Sequence, residues 1–208
     1  VLAAADRFIL FKLTAHEIAT KHNMLFSCMP KPLANAPGSG LHFHMSITDE
    51  NNQAIFKNTE QALNLSDKAM QFAAGLLHHA DSLAAICAPT VNSYKRLRVS
   101  ESASGTTWSP VWKSLGDNNR TCLLRAVSGR LEWRLPDPSC NVYAALAATI
   151  AAGLDGIEQA MPAPAICDDD LYELHAKQST KMPDRLPSHL LDAVEALAQN
   201  ESLRSQLG

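Results

Sequence analysis

The chain has 208 residues, of which 46% are hydrophobic and 19% charged, with a formal net charge of -3. Low charge, nine glycines and eleven prolines exclude disordered, collagen-like and coiled-coil classes. The longest weakly apolar run, Ala144–Leu154, is far shorter than the roughly 20 residues that a membrane-spanning helix needs. The five cysteines include no C-x-x-C pair, which indicates reduced thiols and a cytoplasmic protein.

The first predicted elements come from the spacing of apolar residues. Between Phe8 and His22 these residues recur every three or four positions, which predicts a helix over residues 4–22. The apolar segment 25–29 predicts a short strand that ends at two prolines. Strict alternation over residues 41–48 then predicts a second strand. The polar face of this strand carries His42, His44, Ser46 and Thr48.

A long apolar stripe follows Ser66, a typical helix-capping residue, and predicts a helix over residues 67–87. Residues 90–119 show no sustained period, and a structureless stretch of that length is often functional. The later predicted elements are strands over 120–127 and 130–135, a helix over 141–160, a helix start after 168–170, and an amphipathic helix after Ser188. We expect an α+β fold, with a largely antiparallel sheet backed by helices.

Basic residues are concentrated in residues 95–134, which carry eight lysines and arginines against three acids. Six of the nine arginines lie there, and a guanidinium group is suited to bidentate binding of phosphate or carboxylate. The segment therefore predicts an anionic ligand, with a solvated basic face as the alternative. Nucleic acid is a weaker interpretation, because the whole chain is acidic and the segment contains few aromatic residues.

Two histidines on the predicted polar strand face are candidate ligands. His42 and His44 lie two residues apart, after Gly38 and Gly40, whose backbone a ligand can approach closely. Such a pair is also typical of ordinary histidines, and a zinc site would need further ligands. By itself this pattern leaves both interpretations open.

Glu132 lies between Arg130 and Arg134 on one face of its predicted strand. The arginines would keep the carboxylate ionised, which is the form that binds a metal ion. Together, His42 and Glu132 would make a mixed nitrogen and oxygen site for a divalent cation, completed by water, phosphate or residues outside the chain. A cross-strand ladder of ion pairs is the alternative. No nucleophile elbow, Walker loop or dinucleotide-binding motif occurs.

Six motifs in chain order resemble the catalytic domain of glutamine synthetase over roughly residues 5–160. They are Lys31-Pro32 with Gly38-Ser39-Gly40-Leu41-His42-Phe43-His44, then Asn92-Ser93-Tyr94-Lys95-Arg96, Asn119-Arg120-Thr121, Arg130-Leu131-Glu132-Trp133-Arg134, Pro136-Asp137-Pro138 with Asn141, and Ala152-Gly153-Leu154-Asp155-Gly156-Ile157. The resemblance implies an ATP-dependent ligase that phosphorylates the side-chain carboxylate of glutamate. Ammonia or an amine then displaces the phosphate.

The resemblance also implies a role for each matching residue. His42 and Glu132 would bind Mg²⁺ or Mn²⁺, while Gly38, Arg96 and Arg134 would contact glutamate. The residues expected near ATP and the transferring phosphoryl group are His44, Ser46, Arg120, Arg125 and Arg130. Glu101 lies near the place of a family glutamate that closes the site and accepts a proton. Arg96, Arg120 and Glu101 are therefore the expected catalytic residues.

The chain also departs from the family pattern. Pro37 stands where the family usually has asparagine before Gly-Ser-Gly, and it offers no side-chain contact to glutamate. The segment 102–110 is longer and different, and it resembles the branch of γ-glutamyl-methylamide and γ-glutamyl-polyamine ligases. The resulting hypothesis is an amine acceptor other than ammonia.

The resemblance leads to an expectation about the chain ends. Further metal carboxylates and a small N-terminal domain would precede Val1, and the usual C-terminal helices would follow Gly208. Residues 1–208 would thus be a catalytic-domain fragment, truncated at both ends and without ligase activity of its own. Its parent protein would form a homo-oligomer, with neither nucleic acid nor membrane as a partner. A non-catalytic relative that keeps the fold as a binding or structural module is the alternative.

Overall fold

The computed structural model describes residues 1–99, 101–102 and 105–208. Its helices are α1 (Leu2–Lys21), α2 (Asp67–His78), α3 (Ala80–Cys87), α4 (Val91–Arg96), α5 (Val142–Glu158), α6 (Leu171–Ala176), α7 (Leu190–Gln199) and α8 (Glu201–Leu207). Its strands are β1 (Phe43–Met45), β2 (Glu101–Ser102), β3 (Gly105–Thr106), β4 (Trp112–Asp117), β5 (Cys122–Val127) and β6 (Arg130–Trp133). A single 3₁₀ turn lies at Ala62–Asn64. Within these described ranges, every helix is too short or too polar to cross a membrane.

The four longer strands form one sheet in the order β1-β6-β5-β4. The central strand β6 pairs antiparallel with β1 and with β5, as the predicted largely antiparallel sheet requires. The exception is β4, which runs parallel to β5 with an irregular register between Trp112 and Leu115. β5 turns into β6 through Ser128 and Gly129, whose φ values of 49° and 79° suit a tight hairpin turn.

The α+β architecture is confirmed, with helices packed against the sheet. α2 packs on α5 and also contacts β4 and β6. Leu131 and Trp133 of β6 are fully buried on this side, as the alternation predicts. The backbones of α2 and α5 are in close contact at Gly75. A Cβ atom at this position would lie only 2.2 Å from the Ala152 carbonyl oxygen. This tight layer leaves the other face of β1 and β6 available for a site.

Several predicted elements differ from the structure. The strand predicted over 41–48 is shortened to the three residues Phe43–Met45. Residues 25–29 form no strand, and Leu25 is 91% exposed, so the apolar character of this segment does not reflect burial in a sheet. The helix predicted over 67–87 is interrupted at His79, whose ring contacts Asp155 on α5 and Asn200 at the start of α8. These contacts hold His79 at the junction between α2 and α3.

The stretch 90–119 is also more ordered than predicted. Thr90 begins the six-residue helix α4 with a reciprocal capping box, but six residues are too few to show a period. β4 is buried at Trp112 and at Ser114, Leu115 and Gly116, so its sequence lacks the alternation of a strand with one wet face. The spacing of hydrophobic residues therefore predicted neither α4 nor β4.

Candidate active site

β1 and β6 bring the predicted metal ligands onto one sheet face. Their register pairs His44 with Glu132, and His42 lies just before β1 on the same side. The Nδ1 atom of His42 is 2.9 Å from Glu132 Oε1, and His44 Nε2 is 4.0 Å from the same oxygen. Alternation along two neighbouring strands is sufficient to explain this convergence.

Glu132 is a buried carboxylate that is surrounded by positive charge. It is 3% exposed, and Arg125 Nη1 donates a hydrogen bond to its Oε2 atom. Arg134 Nε lies 3.8 Å from Oε1 on the other side. Because an unpaired buried charge is costly, these guanidinium groups are what allow the carboxylate to remain inside the fold.

His42 is held in its neutral form. Its side chain is 33% exposed. Its pKa is nevertheless lowered to about 4, first by the partial burial and then by the positive charges of Arg134 and Arg96, against the opposing effect of Glu132. An imidazole with this pKa carries no proton on one ring nitrogen at neutral pH. That is the protonation state a metal ligand needs.

The His42 and Glu132 side chains fit a divalent cation. His42 Nδ1 and Glu132 Oε1 lie 2.9 Å apart, which is the distance of a hydrogen bond. It is also close to the roughly 3.0 Å that separates two neighbouring ligands of an octahedral ion. Within the part of the chain that the structure describes, no group of three or more His, Cys, Asp or Glu residues could hold a metal. The pair therefore offers two ligands, and substrate, water or other protein residues would have to supply the rest.

A polar cavity of about 200 Å³ opens beside this pair. Its walls are formed by Lys31, Gly38, Gly40, His42, Arg96, Arg134 and residues 107–110. This lining contains three cationic side chains and no carboxylate. The cavity is smaller than the roughly 300–1,000 Å³ of drug-sized sites. Its size and charge suit a small anion.

Two glycines shape this cavity. A Cβ atom on Gly38 would lie 2.5 Å from the Pro30 carbonyl oxygen. On Gly40 it would lie 2.7 Å from His42 Nε2 and 3.0 Å from Arg96 Nη2. Any larger residue at Gly40 would therefore displace both the candidate metal ligand and a candidate substrate-binding arginine.

The two arginines of the cavity use their donors differently. Arg96 donates to the carbonyl oxygens of Leu135 and Arg134, each at 2.9 Å. Arg134 donates to three carbonyl oxygens, those of Trp108, Arg120 and Cys122. A guanidinium has five N–H groups, so the contacts of the described residues leave three unused on Arg96 and two on Arg134. The Nε atom of Arg134 is buried, so Arg134 keeps only one N–H for a ligand. Arg96 is thus the better carboxylate receptor, and Arg134 mainly holds the loop and β5 in place.

Burial also affects the charge of Arg96. It lowers the pKa of this guanidinium to about 10, and the buried carboxylate of Asp137 opposes the change. Arg96 therefore stays charged at neutral pH. Asp137 was part of a motif in the sequence, but nothing in the spacing indicated that it would lie near this arginine.

The remaining predicted site residues are placed less centrally. Arg125 is bound to Glu132 and Asn118, and Arg130 Nε donates to His44 Nδ1 at 3.3 Å. Arg120 is exposed, and its carbonyl accepts from Arg134. Ser46 is exposed, one residue beyond β1. Glu101 begins β2, and its side chain lies outside the described part of the structure.

Sequence reasoning missed the residues that frame the site. Asn92 fixes the Lys31 backbone through bonds of 2.7 and 3.0 Å, which explains why these two distant motifs occur together. Trp108 forms part of the cavity wall, and Ser109 donates to the Arg96 carbonyl oxygen. The sequence signalled this wall only through the departure of segment 102–110 from the family pattern, without indicating which of its residues would line the cavity.

A sheet face with a histidine and a glutamate beside an arginine-lined cavity defines a class of domain suited to a divalent cation next to small anions. Comparison with known proteins gives this class a specific family. The family model described as glutamine synthetase, catalytic domain, matches residues 1–208. The chain belongs to the glutamine synthetase family.

The relatives to which this chain is similar carry two different enzyme names. The chain is 47% identical over 209 residues to a glutamate--methylamine ligase of Methyloversatilis universalis, and 42% identical over 214 residues to a glutamine synthetase of Halobacterium salinarum. Both alignments cover all of this chain but 47% and 46% of the relatives. The chain thus spans about half the length of the curated relatives that it matches.

Solved structures agree with this assignment. A structure described as a GmaS/ADP complex superposes with a TM-score of 0.89 at 41% identity, covering 98% of this chain and 47% of that one. A second, described as apo GmaS without ligand, has a TM-score of 0.88 at 39% identity and covers 100% of this chain and 46% of that one. The fold predicted from the family resemblance is therefore confirmed.

Proposed function

We propose that the protein containing this chain is an ATP-dependent ligase that joins glutamate to an amine through a γ-glutamyl phosphate. Membership of the glutamine synthetase family supports this assignment. The observation that carries it is the contact between His42 and Glu132, at 2.9 Å, beside a cavity lined by Lys31, Arg96 and Arg134. This arrangement offers a cation site and an anion site side by side.

The reaction needs two group transfers. An oxygen of the glutamate side-chain carboxylate attacks the γ-phosphorus of ATP, and the bond to the leaving ADP breaks. The amine nitrogen then attacks the acyl carbon, phosphate leaves, and the nitrogen loses a proton. In phosphoryl transfer the protein mainly supplies positioning and charge stabilisation.

The described side chains suit those tasks. Arg96 would bind a carboxylate of glutamate, and Gly38 and Gly40 would let the substrate approach the backbone. Arg134 would fix the cavity wall and contact glutamate through its remaining N–H. His42 and Glu132 would hold Mg²⁺ or Mn²⁺, and a bound cation would neutralise charge on the phosphate oxygens.

The phosphates of ATP would lie on the side of the arginine-rich strands. Arg130 and Arg120 are exposed there and would face the phosphates and the transferring phosphoryl group. Arg125 is engaged with Glu132 and would act partly through it. His44 and Ser46 extend the same polar face beyond His42. Glu101 stays a prediction as the group that closes the site and accepts a proton.

Methylamine is the acceptor that we propose first. The chain is 47% identical to a protein named glutamate--methylamine ligase. This similarity supports the hypothesis, drawn from segment 102–110, that the acceptor is an amine other than ammonia. Ammonia is the second candidate, because other relatives at 37% to 42% identity are named glutamine synthetase. A γ-glutamyl-polyamine synthetase is the third.

The test is phosphate release by the full-length gene product, since the relatives are about twice as long as this chain. With ATP, glutamate and Mg²⁺ or Mn²⁺ present, methylamine should give a kcat/KM at least tenfold above those for ammonia and putrescine. A preference for ammonia would assign glutamine synthetase activity instead. Absence of ATP turnover with every amine would favour the non-catalytic relative. A homo-oligomer in light scattering and a cytoplasmic location remain predictions.

A further inference from the structure

Trp108 has an unusual backbone conformation next to the proposed site. Its φ is 52°, a region that bulky residues adopt rarely and only where the surroundings hold them. Its carbonyl oxygen accepts a hydrogen bond of 2.9 Å from Arg134 Nη2. The next residue, Ser109, donates to the Arg96 carbonyl oxygen and accepts from the Tyr172 hydroxyl at 2.8 Å. Contacts on either side of this peptide therefore hold the strained conformation.

The strained backbone keeps the indole ring out of the core. Trp108 is 45% exposed, whereas the neighbouring Trp112 is 1% exposed and lies 5.2 Å from the Tyr172 ring. Trp108 meets the same ring at 6.3 Å with an interplanar angle of 65°. A large apolar ring is normally stabilised by burial. Packing of the core does not explain why this ring is placed in the wall of a polar cavity.

The position of Trp108 relates it to the reacting groups. Its carbonyl is bound to Arg134, whose Nε atom lies 3.8 Å from the Oε1 atom of Glu132. The other charged side chains in the cavity wall are Lys31 and Arg96. These cations attract glutamate but repel an ammonium group. Trp108 is the residue of this described lining whose side chain, 45% exposed, can attract both a positive charge and a methyl group.

We propose that Trp108 is the specificity-determining residue for the amine, and that its ring contacts the methyl and ammonium groups of a small primary alkylamine. The inference rests on the proposed function and names the substrate class for it. Ammonia offers no methyl group, so it would gain less from the ring. The strained backbone at Trp108 would then keep the indole ring facing the amine.

The test compares methylamine and ammonia in the full-length protein with saturating ATP, glutamate and Mg²⁺. Replacing Trp108 with leucine should raise the KM for methylamine about tenfold and that for ammonia less than threefold, with little change in either kcat. Trp108→Phe keeps an aromatic face and should restore most of the preference. Trp108→Tyr should fall between wild type and leucine. Because leucine also has a Cβ atom, the backbone strain is matched in all three variants.

Several outcomes would overturn the inference. They are an equal change in the KM for both amines, a change only in the KM for glutamate, or an aromatic variant whose preference for methylamine is no greater than that of the leucine variant. If the leucine variant fails to fold, Trp108→Met takes its place as the non-aromatic variant, and an unchanged ratio of methylamine to ammonia kcat/KM in it contradicts the inference. A wild-type protein that ligates no amine would refute the proposed function. A wild-type protein that uses methylamine, with unchanged selectivity in the variants, would refute only the role of Trp108.

Discussion

Replacing Glu132 with glutamine should separate the metal-binding role of this residue from its structural role. The change keeps the shape and one acceptor oxygen but removes the negative charge that Arg125 and Arg134 share. Breaking a buried ion pair typically costs about 3–5 kcal/mol. We expect the lower value, about 3 kcal/mol, because Arg125 keeps Asn118 and Arg134 keeps three carbonyl acceptors.

The same substitution should abolish stabilisation by the cation. In the wild type, Mn²⁺ at 100 times its Kd should raise the free energy of unfolding by about 2.7 kcal/mol. In Glu132→Gln, the same concentration should raise it by much less, because a neutral amide oxygen replaces a charged carboxylate ligand. Urea unfolding of the full-length protein, with and without Mn²⁺, measures both effects.

A matched control is Glu173→Gln, which removes an exposed carboxylate 3.1 Å from Lys177 on one helix. Its expected cost is only about 0.5 kcal/mol, with Mn²⁺ stabilisation unchanged. The reasoning is refuted if Glu132→Gln unfolds within about 1 kcal/mol of the wild type and is still stabilised by Mn²⁺. Loss of stability with retained Mn²⁺ stabilisation would leave Glu132 as a purely structural acid.

Two further predictions concern pH and helix packing. In metal-free buffer, neutral His42 contributes stability that is complete above its unfolded pKa of about 6.5 and is lost as pH falls toward its folded pKa of about 4. His42→Gln should therefore flatten the decline of the urea midpoint over this window, and an unchanged decline would contradict the assigned pKa. Gly156→Ala should destabilise by about 1–3 kcal/mol despite its better helix propensity, because the new Cβ would lie 2.2 Å from the Gln71 carbonyl oxygen. Thermal unfolding checks this against Leu154→Ala at an exposed position of α5, and an equal or higher Tm for Gly156→Ala would refute it.

The part of the site that was predictable lies on strands in which polar and apolar residues alternate. Alternation placed His42 and His44 on one side of β1 and Glu132 on the corresponding side of β6, and the structure brings them together. The pattern succeeds because a strand has a side-chain period of two, so a residue's face follows directly from its position. The buried faces of Leu131 and Trp133 follow from the same rule.

The parts that were not predictable depend on tertiary contacts. β4 is buried on both faces, and α4 is too short for a helical period. The interruption at His79 follows from its contacts with Asp155 and Asn200, which lie 76 and 121 residues away in sequence. No local pattern encodes such partners. Backbone acceptors are even less visible, because every residue carries a carbonyl group.

Arg134 illustrates why this last kind of contact matters for function. One guanidinium joins the carbonyl of Trp108 in the cavity wall, those of Arg120 and Cys122 at the start of β5, and the carboxylate of Glu132. The proposed cation site and the proposed amine-binding wall are therefore attached to the same rigid group. Moving the wall would break the hydrogen bond to the Trp108 carbonyl, and moving Glu132 would lengthen its charge contact of 3.8 Å with the buried Nε atom. In the proposed ligase, the arginine would thus keep the cation and the amine in register, which is the positioning that a two-step ligation requires.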